Sequence, residues 1–188
     1  MRQVGVFLGG SGAAKEVYVE AARHLGRELA RRGLTLVYGG GRIGLMGVIA
    51  DAALAAGGQV IGVIPRHLVE REVAHPGLSD LRVVGDMLER KALMAELSDA
   101  FLALPGGYGT LDELFEMLTW TQIGTQAKAC GVLNVAGYYD PLLAWVDHAV
   151  REGLVRPGHR DLLLSGDDVG TLLDDLAAWT LPEMPRLA

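Results

Sequence analysis

Three times in this chain a short apolar run ends in a cluster of glycines that opens into a helical pattern. Residues 4–8 lead into Gly9-Gly10-Ser11-Gly12, residues 34–38 into Gly39-Gly40-Gly41-Arg42-Ile43-Gly44, and residues 100–104 into Pro105-Gly106-Gly107-Tyr108-Gly109. Short runs that are apolar throughout suit strands buried on both faces, which occur in parallel sheets with helical crossovers. A further apolar run lies at 60–64, and strands are also expected at 81–84 and 128–135, each of which carries one charged residue. Helical spacing covers 17–30, 45–56, 86–97, 139–152 and 169–179. The expected fold is α/β: a three-layer, doubly wound, Rossmann-like domain with a mainly parallel sheet. One domain is expected over 1–180, followed by a tail at 181–188 that holds two prolines. Ligands on such sheets bind where strands end and helices begin, so the three glycine turns should share one edge.

Composition narrows the function. The 188 residues are half hydrophobic and show no break that would separate two domains. A net charge of -6 with pI near 5.3 disfavours a nucleic-acid polymer or an anionic membrane as partner, while leaving room for a single nucleotide at a local basic site. The lone Cys130 excludes an internal disulfide and a cysteine-rich zinc site, and its apolar setting places it in a buried strand. The longest uncharged run, 52–65, is too short to span a bilayer, and the amino end lacks signal-peptide features. A soluble, cytoplasmic protein is the expectation.

Several familiar chemistries lose their local signals. No Gly-Lys dipeptide exists, which removes the P-loop, and none of the five histidines lies in a metal-binding repeat, so no metal is expected. Ala13 stands where a G-x-S-x-G elbow around Ser11 would need glycine. Residues 39–44 fit G-x-G-x-x-G, but the next strand ends in Ile64-Pro65-Arg66 with no acid to hold a ribose. A structural turn or a contact to a smaller nucleotide is the better reading there.

The third glycine turn carries the most chemistry. In Pro105-Gly106-Gly107-Tyr108-Gly109-Thr110-Leu111-Asp112-Glu113 the glycines let a ligand approach the backbone, and the following helix directs unpaired N–H groups and the positive end of its dipole at an anion. Thr110 is the expected cap of that helix. Thr110-Leu111-Asp112-Glu113 has the form of a capping box, which sets a structural role for Glu113 against a catalytic one. One short strand earlier, Met87, Arg90, Lys91 and Met94 share a helical face, so two cations can approach the same pocket. The connector at 66–80 is long for a compact domain, and such connectors are often functional.

At these residues the chain strongly resembles the Lonely Guy family, the cytokinin riboside 5'-monophosphate phosphoribohydrolases, long labelled possible lysine decarboxylases. The resemblance rests on P-G-G-x-G-T-x-x-E at Pro105 to Glu113 and on Arg90-Lys91. It also includes Val37-Tyr38-Gly39-Gly40-Gly41, Gly44-Leu45-Met46-Gly47, Leu133-Asn134-Val135 and Gly137-Tyr138-Tyr139-Asp140. The chain departs from it in having Leu8-Gly9-Gly10-Ser11 for the usual Cys-Gly-Ser-Ser, and Asp112 where a second glutamate is common. The resemblance implies hydrolysis of the N-glycosidic bond of a purine nucleoside 5'-monophosphate to free base and ribose 5-phosphate, without a cofactor. It implies Arg90 and Glu113 as the catalytic pair. As substrate contacts it implies Glu72, Arg90, Lys91, Gly107, Tyr108, Gly109, Thr110, Leu111, Asp112, Glu113 and Thr119. A homodimer is implied as well. Two other functions compete: a nucleotide-binding module without turnover, and the decarboxylase of the older label, whose Schiff-base lysine would have to be Lys15, Lys91 or Lys128.

Overall fold

The structure is a computed structural model that describes residues 1–69, 71 and 73–182. Seven parallel strands form one sheet: β1 (Gln3–Phe7), β2 (Thr35–Tyr38), β3 (Val60–Pro65), β4 (Asp80–Val84), β5 (Ala100–Ala103), β6 (Ala129–Leu133) and β7 (Leu163–Gly166). Their spatial order is β4-β3-β2-β1-β5-β6-β7. The chain builds outward from β1 to β4, then returns to the other side of β1 with β5. Such a reversal opens a crevice beyond the carboxyl ends of β1 and β5, where ligands of doubly wound sheets bind.

The helices are α1 (Glu16–Arg31), α2 (Leu45–Ala55), α3 (Arg66–Val69), α4 (Met87–Leu97), α5 (Tyr108–Gln122), α6 (Asp140–Arg151), α7 (Pro157–Arg160) and α8 (Val169–Ala178). Alternation along each strand divides the core between the two sheet faces. Val4, Val6, Leu36, Tyr38, Leu102 and Leu104 pack against Leu25 and Leu29 of α1, Ile49 of α2 and Leu172 of α8. Phe7, Val37, Phe101, Ala103 and Val132 pack the other way, on Met94 of α4, Leu114 and Met117 of α5 and Val146 of α6. Phe7 and Phe101 stack with centroids 5.7 Å apart. Cys130 is fully buried in β6, as its apolar setting predicts. Among the described residues no helix is long and apolar enough to cross a membrane.

Each strand and long helix expected from the apolar pattern is present to within a few residues. Three features differ. β7 and α7 are additional; each has only four residues, and β7 is an edge strand with an exposed Ser165, too short and too polar for a period to show. β3 runs one residue past the apolar stretch at 60–64, to Pro65, which is in register with Val84. The described part of the connector at 66–80 begins with α3, and its residues 73–75 are strapped to the second glycine turn. Arg42 N–H donates to Val73 O, His75 N–H donates to Gly40 O, and the His75 ring lies 3.0 Å from Asp51 of α2. Of the expected tail, residues 183–188 lie outside the described ones.

The start of α4 is set by Asp86, whose Oδ1 accepts from the backbone N–H of Leu88 at 2.8 Å and of Glu89 at 2.9 Å. This cap fixes where Arg90 and Lys91 stand. Asp86→Ala is therefore expected to lower stability by about 1 kcal/mol, the usual loss for such a cap, with Asp86→Asn close to wild type in chemical denaturation.

Candidate active site

The carboxyl ends of β1 and β5 open into a cleft of about 660 Å³. Leu8, Gly9, Gly10 and Ser11 form one wall, the turn from Pro105 to Gly107 and the first residues of α5 form another, and Met46, Met87 and Arg90 close the floor. The walls are tied together by backbone hydrogen bonds: Gly9 N–H donates to Pro105 O, and Leu45 N–H donates to Gly9 O. The glycine turn is also held by the two tyrosines just before α6. Tyr139, fully buried, donates its hydroxyl to Leu104 O at 2.6 Å, and Tyr138 donates to Gly106 O at 2.6 Å. Asn134 orients this pair by accepting from Tyr139 N–H and donating to Asp140.

The cap expected at Thr110 is not formed. Gly107, with φ -98° and ψ -147°, is the residue before the helix, and α5 begins at Tyr108 without a side-chain cap. The glycine accepts the non-helical backbone at little steric cost, so the helix starts a turn earlier than a threonine cap would allow. The first helical bond runs from Leu111 N–H to Gly107 O, leaving the N–H groups of Tyr108, Gly109 and Thr110 ahead of it. The capping box fails with the cap. Glu113 lies within the helix, only 7% exposed, and its Oε1 is 3.5 Å from Nη2 of Arg90.

Arg90 reaches this position from α4. Its Nε donates to Val63 O at 3.1 Å, which aims the guanidinium across the end of β3 toward Glu113. Gly39 supplies the space, since a Cβ there would lie 1.8 Å from Arg90 Nη2. Gly44, with φ +65° and its missing Cβ against the Gly10 carbonyl, lets α2 close on the first glycine turn. The G-x-G-x-x-G spacing at 39–44 thus serves packing and the placing of Arg90.

Burial pushes the Glu113 carboxyl above its ordinary value of 4.5, and the Arg90 guanidinium pulls it down without cancelling the effect. Lys91 takes a different course from Arg90. Its Nζ lies 3.1 Å from Asp112 and 3.0 Å from Glu116, turned onto α5 and away from the cleft lining. Partial burial opposes its charge, but Glu116 and Asp112 together hold the ammonium above its ordinary value.

Of the residues singled out from sequence, Arg90, Gly107, Gly109, Thr110, Asp112 and Glu113 line the cleft. Lys91, Tyr108, Leu111 and Thr119 do not. Tyr108 projects outward, 96% exposed; Leu111 packs on the core beneath α5; Thr119 donates its hydroxyl to Phe115 O one turn back. Glu72 lies outside the described residues. Sequence reasoning missed Lys15, Tyr18, Met46, Met87 and Tyr138 as lining residues and Gly39 as the space for Arg90. The glycine turns pointed to this region, but no spacing rule brings the start of α1 to α5. Among the described residues no cluster of three or more His, Cys, Asp or Glu side chains is arranged to hold a metal.

Residues 46–176 match the family described as "Possible lysine decarboxylase". A rice protein (Oryza sativa subsp. japonica) named probable cytokinin riboside 5'-monophosphate phosphoribohydrolase LOGL9 is 52% identical over 175 residues, covering 93% of this chain and 77% of that protein. The Arabidopsis thaliana cytokinin riboside 5'-monophosphate phosphoribohydrolase LOG3 is 48% identical over 93% of this chain and 81% of its own length. The chain belongs to the Lonely Guy family. Its fold also matches the solved molybdenum cofactor carrier protein of Chlamydomonas reinhardtii, with a TM-score of 0.70 at 21% identity over 95% of this chain and 99% of that one. Within the Lonely Guy chain described here, the shared fold accounts for the sheet and its switch point. The Arg90–Glu113 contact belongs to the motifs that carry the family resemblance.

Two substitutions separate the roles of these side chains. Gly39→Ala should fold with little loss of stability, because the atom its methyl meets is the end of a flexible side chain, yet it should displace the Arg90 guanidinium and depress activity. Thermal melting beside an activity assay checks both halves. Glu113→Gln should gain stability relative to wild type as pH rises through the range in which the Glu113 carboxyl titrates. With a raised folded pKa, the wild type is favoured below the unfolded pKa and loses that advantage as pH rises through the folded value. Glutamine loses nothing over that range, so the gap should widen with pH in denaturation curves. A capping role for Glu113 would give the opposite sign.

Proposed function

We propose that this protein hydrolyses the N-glycosidic bond of purine nucleoside 5'-monophosphates, cytokinin-type or AMP, releasing the free base and ribose 5-phosphate. The buried Arg90–Glu113 contact beside the glycine turn carries the reading, in a chain 52% and 48% identical to proteins named for that reaction. The phosphate is assigned to the N–H groups at the start of α5, where unpaired donors and the helix dipole favour an anion. Thr110, a residue of the cleft lining, is assigned to add its hydroxyl there. With the phosphate there, Glu113 is assigned to the ribose side of the cleft.

In the reaction the C1'–N bond breaks with its electron pair going to the base, while water oxygen bonds to C1'. Positive charge builds on the ribose and negative charge on the base. The Glu113 carboxylate takes the proton from the attacking water and stabilises the cationic ribose; a carboxylate whose pKa burial has raised is better matched to that task than an exposed one. Arg90, fixed by Val63 O, stabilises the electron density that moves onto the departing base. The proton gathered by Glu113 then goes to the base. Asp112 is held by Lys91 and does not compete for the phosphate.

The decarboxylase label needs a lysine that is neutral enough to form an imine. Lys91 is held charged by Glu116 and Asp112, Lys128 donates to Ala95 O beneath α4, away from the cleft, and Lys15, which does line the cleft, is solvent-exposed rather than set in an apolar pocket. Glu72, Lys91, Tyr108, Leu111 and Thr119 enter the proposal as substrate contacts through the family motifs. We place the enzyme in the cytoplasm as a single domain over 1–180 that pairs as a homodimer.

Incubation with AMP and with isoprenoid-modified AMP should release base and ribose 5-phosphate in equal amounts. Glu113→Gln should lose at least ~10²-fold in turnover, and Arg90→Ala should also be impaired. Saturable AMP binding by the wild type with no base released would replace the hydrolase with a nucleotide-binding module.

A further inference from the structure

Building on the hydrolase reading, the geometry points to Lys15 as the cation that grips the 5'-phosphate. A phosphate dianion at the glycine turn meets neutral N–H donors, while Lys91 and Arg90 already face the nearby carboxylates of Asp112 and Glu113. Such a site calls for a compensating positive charge. Among the described side chains that line the cleft, the cations are Arg90 and Lys15. Arg90 is held by Val63 O beside Glu113, where the proposed reaction uses it for the departing base. Lys91, the other cation nearby, is committed to Asp112 and Glu116. The Lys15 side chain makes no hydrogen bond or ion pair with the described residues and is exposed at the cleft wall, so its ammonium can meet a ligand without breaking an existing contact.

Its position is fixed at the correct end of the cleft. Lys15 immediately precedes α1, with Tyr18 N–H donating to its carbonyl, so Tyr18 lies one turn beyond it and also faces the cleft. The Tyr18 ring meets Tyr138 edge to face at 5.5 Å, and the Tyr138 hydroxyl donates to Gly106 O. This chain of contacts docks the start of α1 on the glycine turn. A flexible four-carbon stem there gives a mobile point charge suited to a phosphate rather than a rigid fork. Lys15 thus binds the ground state and the transition state alike, and it acts on affinity rather than on the chemical step.

The test compares wild type, Lys15→Met, Lys15→Arg and, as a charge-matched control, Arg27→Met on the outer part of α1 beside a separate hollow. Titration calorimetry with ribose 5-phosphate should show Lys15→Met weakened roughly 10-fold or more, the loss expected for one charge-assisted contact. Lys15→Arg should be largely restored and Arg27→Met unchanged. With AMP, Lys15→Met should raise KM by a similar factor and leave kcat within about twofold. Equal affinity of wild type and Lys15→Met for ribose 5-phosphate overturns the assignment, as does an equal loss in Arg27→Met, which would mark a general field effect. A wild type that binds the sugar phosphate but releases no base overturns the hydrolase reading alone.

Discussion

The contact between Arg90 and Glu113 is the interaction around which the site is organised. Two side chains of opposite charge, 12% and 9% exposed, approach to 3.5 Å without a hydrogen bond between them. That separation gives attraction enough to keep them together but too little to offset the desolvation of the carboxylate, so its pKa rises. A tighter, bidentate pair would hold Glu113 ionised and depressed, and would tie up two of the arginine's five N–H donors. The loose pair keeps both groups available.

Everything that brings these two side chains together lies outside the contact itself. Asp86 sets the start of α4, Val63 O takes the Arg90 Nε–H, and Gly39 leaves a hole that the guanidinium fills. On the other side, Gly107 lets α5 begin early enough that Glu113 points inward, and Tyr138 and Tyr139 hold the turn from which α5 starts. The reversal of strand order between β1 and β5 places these supports around one crevice. Fold and site meet at that switch point, since a sheet wound in one direction only would leave the first and third glycine turns on unrelated strands.

Lys91 shows how one residue of spacing changes a role. Next to Arg90 on α4, it faces α5 instead of the cleft, and Asp112 with Glu116 neutralises it there. Its contribution is to fasten α4 to α5 and to keep Asp112 from facing an incoming phosphate unpaired. The residues Asn134, Tyr138, Tyr139 and Asp140, quoted among the family motifs without a stated role, form the brace beneath the glycine turn.

By itself the sequence determined the layer architecture, because buried parallel strands must be apolar throughout and helices covering them must carry an apolar stripe, patterns that are local and visible. It also marked the edge of the sheet where the site lies, since glycine clusters between strand and helix have few other uses. The short edge strand β7 escaped for the converse reason, with four residues and a polar position leaving no period. What only the tertiary structure decided was direction. Whether Glu113 capped its own helix or met Arg90 depended on Gly107 taking the non-helical backbone one turn early. Whether Lys91 or Lys15 faced the cleft depended on which acids α5 offered to α4 and on α1 docking through Tyr18 and Tyr138. These outcomes rest on contacts between segments distant in the chain, which spacing along one helix cannot encode.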